Sequence, residues 1–266
     1  MLSSNKSLQK IVMMFLVFAL VFTGMGFSFG TPVSYAASSD VYVASGGDDT
    51  TGDGTLENPY ATLSKAYAEV NTGGTIYIKD DITLLEDGNG RFLVFDKGKN
   101  ITITTAPEST ELAVIQRGGT GGSGVGTLID IKSGGQLTLK NIIFDGKGET
   151  YQSNGRIINV SSTLVIEEGT ILRNNNSIYG GTALYLSGSD AVIEMSGGVI
   201  TDNKFSGSAG SSIKNAIYIA SGTFNMTGGK VIDNSGGGEL ISREVSSLFP
   251  ATHASRGIRL KYLVNQ

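Results

Sequence analysis

Four acidic side chains, Asp48, Asp49, Asp53 and Glu57, crowd into the stretch "GGDDTTGDGTLENP". Their oxygens could ligate a hard cation such as calcium, which accepts carboxylates and carbonyls in permissive geometries. The stretch lacks the Asp-x-Asp-x-Asp-Gly order of an EF-hand loop, and a solvated, turn-rich loop accounts for the same composition. Calcium is the one cofactor these residues could take. Elsewhere the reactive residue types are sparse. Arg156 and Arg173 are the only arginines between Asp130 and Gly238, and no motif ties either to a carboxylate. The sole histidine is His253, and there is no cysteine, which excludes disulfides and thiolate chemistry. Proton transfer needs a positioned acid and base, and a two-carboxylate glycosidase needs paired acids at a defined separation. Neither pairing is visible, so catalysis is not expected.

A third kind of site emerges from self-comparison. The segments "LIDIKSGGQLTLKNIIFDG", "IINVSSTLVIEEGTILRNN", "LYLSGSDAVIEMSGGVITDN" and "IYIASGTFNMTGGKVIDN" repeat one grammar. Their last anchors, Asp145, Asn174, Asn203 and Asn234, are about 29 to 31 residues apart, inside the window of solenoids and arrays. Each unit holds three short apolar segments separated by Gly/Ser/Asn turns. Period-two alternation sends the middle side chain of a three-residue segment to the opposite face from its neighbours. No segment can bury its apolar face alone, but stacked coils bury a continuous column. The dense Leu pattern of a leucine-rich repeat is missing, and propeller blades are longer. The spacing therefore predicts a β-solenoid with three strands per coil.

In that arrangement the middle residues of successive first strands, Asp130, Asn159, Tyr185 and Tyr218, form one outward column with steps of about 4.8 Å. Aromatic rings beside amide and carboxylate groups suit the face of a sugar, since a ring buries area while polar neighbours hydrogen-bond. Outward tyrosines also simply favour strands and stack on one another. Tyr77 is a further outward candidate, in the leading segment.

Ahead of the repeats, Leu63, Ala66, Tyr67 and Val70 recur at helical spacing, with Thr62 as N-cap and Gly73-Gly74 as the stop. This predicts a short amphipathic helix capping the open end of the solenoid, where bare strand edges invite aggregation. At the start of the chain, Lys6 and Lys10 precede an apolar run over residues 11–22, shorter than the ~20 residues needed to span a bilayer. A small-x-small site, Ser34-Tyr35-Ala36, follows, as in a secretory signal cleaved near Ala36 or Ala37. No later segment reads as a membrane span. The formal net charge is −4, and no basic face points to nucleic acid. Glycine is abundant (38) and proline scarce (4), as expected of many turns between many short strands.

The stretch "VYVASGGDDTTGDGTLENPYATLSKAYAEVNTGGTIYIKDDITL" resembles the leading segment of secreted right-handed parallel β-helix proteins, the pectate-lyase-like superfamily. Coils such as "MSGGVITDN" and "MTGGKVIDN" resemble its surface-protein branch. The resemblance covers residues 40–238. It implies the architecture and little about activity, since families of this fold include polysaccharide lyases and hydrolases as well as adhesins and wall-associated proteins. Its lyases pair calcium-binding acids with an Arg or Lys base. Its hydrolases cluster aspartates, whereas here Asp130 is the only acid in the column.

After Gly238 the texture changes to "ELISREVSSLFPATHASRGIRLKYLVNQ". A C-terminal cap could explain it. So could a frameshift: back-translated and read from the third nucleotide of the Glu239 codon, the tail can spell "VDISGGEFSFSGNARIKGNTAEILGEP", which continues the repeat grammar.

The expected fold is all-β, a right-handed parallel β-helix with three strands per coil and a short N-terminal capping helix. Its expected divisions are residues 1–37 as secretory signal, 38–75 as leading segment and cap, 76–238 as coils and 239–266 as an out-of-frame tail. The expected function is non-catalytic binding of a polysaccharide, cell-wall glycan or matrix by a secreted or cell-surface protein. The alternative is a polysaccharide lyase or glycoside hydrolase with an incomplete site.

Overall fold

Three-residue apolar-x-apolar segments punctuated by Gly and Asn can satisfy their backbone only by pairing with a neighbouring copy, and the chain does so in parallel throughout. A computed structural model describes residues 40–85, 91–96, 98–119, 126–132, 134–208 and 215–236, together with the backbones of the strands Ile241–Arg243 and Arg259–Leu260. The secretory-signal expectation and His253 lie outside the described residues, as does most of the stretch after Gly238.

The strands stack into a parallel β-solenoid with sheets of eight, six and six strands and a three-stranded ribbon. We call the eight-stranded sheet, from Val41–Val43 to Arg259–Leu260, sheet I. Sheet II runs from Ile82–Leu84 to Lys230–Ile232, and sheet III from Arg91–Phe95 to Ile241–Arg243. One coil shows the path: Leu184–Leu186 in sheet III, Val192–Met195 in sheet I and Val199–Thr201 in sheet II, then Lys204–Phe205 in the ribbon and on to Ile217–Ile219 in sheet III. The ribbon (Gln152–Ser153, Asn176–Ser177, Lys204–Phe205) adds a fourth short strand to the three expected per coil. It exists because the turn after sheet II runs extended long enough to bury one side chain, Ser153, Ser177 or Phe205, in each coil.

The core is a set of vertical columns. Ile76, Ile103, Leu139, Ile166 and Met195 stand in one register of sheet I, and Ile115, Phe144, Leu172 and Ile200 in one of sheet II. Ile129, Ile158, Leu184 and Ile217 do the same in sheet III. All are fully buried, and each contributes roughly 1.5–3 kcal/mol by leaving water.

The helix α1, Leu63–Glu69, forms where the spacing predicts it. Thr62 accepts from the Lys65 amide, and Leu63, Ala66 and Tyr67 are buried. Tyr67 meets Phe95 of sheet III at 4.4 Å between ring centroids. Lys99 closes the other end of α1 by donating to the carbonyls of Tyr67, Ala68 and Val70. The segment expected to serve only as a cap also supplies a strand: Val41–Val43 pairs with Thr75–Ile78 and begins sheet I.

Between sheet II and the ribbon, the turn is taken by left-handed residues, Asn174 (φ 55), Asp202 (φ 56) and Asp233 (φ 53). Each is followed by an asparagine of an inner ladder. The Asn175 amide donates to Asn203 Oδ1 (3.1 Å), and the Asn203 amide and side chain donate to Asn234 Oδ1 (3.0 Å each). The equivalent of Asn203 is therefore Asn175, and the anchor expected at Asn174 is corrected by one residue. Spacing alone could not choose within Asn174-Asn175-Asn176. One coil earlier the ladder stops at Gly146, where a Cβ would lie 2.6 Å from Asn175 Cα. The guanidinium of Arg117 fills the gap. It is 1% exposed and donates to Asn175 Oδ1 and to the carbonyls of Gly146, Gly126 and Arg156.

Candidate functional site

Parallel pairing in sheet III places Asp130, Asn159, Tyr185 and Tyr218 opposite one another on four successive strands. The column expected from period-two alternation is thus one continuous ladder. What surrounds it differs from the expectation of open outward side chains. The rings of Tyr185 and Tyr218 lie 5.6 Å apart with a 33° tilt, and Tyr218 is only 7% exposed, so it backs the stack. The cause is the turn before the Leu184–Leu186 strand. Gly181 (φ 71) passes so close that a Cβ there would sit 2.9 Å from Tyr218 Cβ and 2.6 Å from the Leu184 carbonyl oxygen. Only glycine combines that backbone with that approach.

Two residues that the column does not contain complete the face. The guanidinium of Arg156 lies 4.3 Å from the Tyr185 ring centroid and 5.5 Å from that of Tyr179, and its Nε donates to the Gly180 carbonyl (3.2 Å). Burial holds its pKa below the usual arginine value, against an opposing pull from the two tyrosines. It stays a cation at any ordinary pH. Tyr179 is 51% exposed, one of the large apolar side chains left open to solvent. Both precede strands of sheet III, in "NGRII" and "SIYGG", outside the apolar-x-apolar pattern that located the column. An arginine and a tyrosine in successive pre-strand turns were the available signal.

At the other end of the ladder, Asp130 is nearly buried and pairs with Lys132 at 2.7 Å. Asn159 Oδ1 is enclosed and meets no donor among the described residues. No second carboxylate stands in this column, and beside the Asp130–Lys132 pair the face offers apolar area, hydrogen bonds and the guanidinium of Arg156. Tyr77 lies elsewhere, stacked on Tyr42 at 5.0 Å on the outer face of sheet I.

The acidic stretch near the chain start is built differently. Asp48 accepts from the amides of Thr50 and Thr51, and Asp53 accepts from the hydroxyl and amide of Thr55. Asp49 accepts from the amides of Ala61 and Thr62 and from the Thr62 hydroxyl that caps α1. Glu57 is exposed. Each aspartate accepts hydrogen bonds at a separate place, and no cluster of three or more acidic, His or Cys side chains among the described residues could hold a metal. These residues do not fit a calcium cage. The hydrogen bonds from Thr51 and Thr50 lower the Asp48 pKa, and those from the Thr55 side chain and amide lower that of Asp53.

Among the described residues no helix is long and apolar enough to cross a membrane. No family model, curated protein or solved structure matches this chain significantly. The assignment that stands is architectural, a parallel β-solenoid, and a fold of this kind hosts many unrelated tasks.

Proposed function

We propose that this chain is an exported, non-catalytic protein that binds a polysaccharide or cell-wall glycan through the outer face of sheet III. The observation that carries the reading is the register of Asp130, Asn159, Tyr185 and Tyr218 on adjacent strands, with half-exposed Tyr179 beside them. Of the rungs, Tyr185 keeps the most accessible aromatic side chain, and Tyr179, in the turn before the same strand, extends that aromatic surface outward. Half-exposed Tyr179 offers a ring face to the sugar and partly exposed Tyr185 adds aromatic area, while Tyr218 keeps Tyr185 in place. The leader-like pattern of residues 1–37 supports secretion or display at the cell surface.

The test is binding of the purified chain to a panel of polysaccharides by affinity electrophoresis, with Tyr179→Ala, Tyr185→Ala and, as a control on sheet I, Glu194→Ala. Loss of one ring contact should weaken binding roughly three- to tenfold, with the control unchanged. Unchanged binding in both tyrosine variants rejects this face. Appearance of unsaturated sugar ends, followed by ultraviolet absorbance, would overturn the non-catalytic reading in favour of a lyase.

A further inference from the structure

Three arginines have described side chains; one is fully engaged and a second is neutralised by a carboxylate. Arg117 donates to three carbonyls and to Asn175 Oδ1, and Arg173 pairs with Asp145 at 2.8 Å. Arg156 differs. Its Nε is held by the Gly180 carbonyl and its plane is flanked by Tyr185 and Tyr179. Yet among the described residues no carboxylate pairs with it, and Nη1 and Nη2 meet no acceptor. A guanidinium partly stripped of water and left without an anion is electrostatically incomplete. Its two outer nitrogens form a fork whose geometry matches carboxylate and sulfate oxygens. The nearest acid of the ladder does not supply that partner, because Asp130 is two strands from Tyr185 and is already offset by Lys132.

We infer that the glycan recognised at this face is acidic, and that Arg156 binds an anionic group, carboxylate or sulfate, on the sugar that stacks against Tyr179. The inference rests on the glycan-binding reading and adds its chemical class. Arg156 sits in the geometry that such a ligand requires: preoriented by two rings and a carbonyl, beside an exposed aromatic surface, with its donors unspent. The desolvation that lowers its pKa also strengthens its attraction to an anion, since less water competes.

The test compares polysaccharides that share a backbone and differ in charge: alginate against carboxyl-reduced alginate, and dextran sulfate against dextran. A charge-assisted, two-point contact should make one acidic member bind roughly ten- to a hundredfold tighter than its neutral partner. Which pair shows the preference distinguishes carboxylate from sulfate. Arg156→Met should bring the acidic-to-neutral affinity ratio to about one, whatever the affinity for the neutral partner, and Arg156→Lys, which keeps the charge but loses the fork, should retain only part of the ratio. If Arg156→Met fails to fold, the native chain still decides: its acidic binding must weaken with salt while neutral binding does not. Equal affinity for acidic and neutral partners refutes the inference and leaves glycan binding standing, as does a preference that survives in a folded Arg156→Met. Absence of binding to every polysaccharide removes both.

Discussion

Replacing Asn203 by alanine tests the inner ladder that holds the coils in register. The Asn203 side chain is fully buried, and its amide donates to the Leu172 carbonyl (3.1 Å), the Thr201 carbonyl (2.9 Å) and Asn234 Oδ1 (3.0 Å). Its Oδ1 accepts from the Asn175 amide (3.1 Å). Alanine leaves that amide buried with no acceptor, and a stranded donor costs about 1–3 kcal/mol, with the lost amide bonds adding about 1 kcal/mol more. The expected loss is about 2–4 kcal/mol, large against the ordinary stability of a domain. Because a solenoid can open coil by coil, a global melting curve is read together with hydrogen exchange. Exchange at Asn175 should accelerate most, followed by amides of the flanking coils, while α1 and the Val41–Val43 strand keep their protection. An unchanged denaturation midpoint with full protection at Asn175 would refute the ladder as a source of stability.

Two further perturbations probe other parts of the argument. Gly181→Ala adds a Cβ at φ 71 within 2.9 Å of Tyr218 Cβ. It should cost roughly 1–3 kcal/mol and displace the tyrosine stack, seen as a lowered denaturation midpoint and weaker glycan binding; wild-type behaviour in both would show that the turn yields freely. Asp48 and Asp53 have lowered pKa values in the fold, so their contribution is present above the ordinary carboxylate value of about 4 and is lost as pH falls through their depressed values. Carboxyl chemical shifts should therefore titrate below those of the unfolded chain, and midpoints equal to the unfolded ones would refute the turn-capping roles of both.

Much of this architecture was legible because a three-residue strand has few ways to satisfy itself. Apolar-x-apolar segments recurring about every 30 residues specify both the stacking and which side chain of each segment points outward. Thr62 and the helical spacing from Leu63 to Val70 located α1 for the same reason, that capping and amphipathicity are local. The ribbon escaped notice because Gln152–Ser153 and its copies are polar, two residues long and stable only against one another. The ladder residue Asn175 escaped because three consecutive asparagines offer three registers, and only the fit against Gly146 and Asn203 selects one.

The candidate site divides along the same line. Sequence alone determined the rungs, Asp130, Asn159, Tyr185 and Tyr218, since parallel in-register pairing follows from a repeat that alternates inward and outward. Tertiary structure alone decided what those rungs present. The turn at Gly181 covers Tyr218, Arg156 reaches across to the ring of the next coil, and Tyr179 becomes the open aromatic. Similarly, the acidic residues from Asp48 to Asp53 look like a cage when read in a line, but Asp48 and Asp53 fold onto nearby amides and Asp49 reaches the start of α1. Alternation is a property of neighbouring residues and can be read from the chain, whereas exposure and charge pairing depend on which distant turn comes to rest against a side chain.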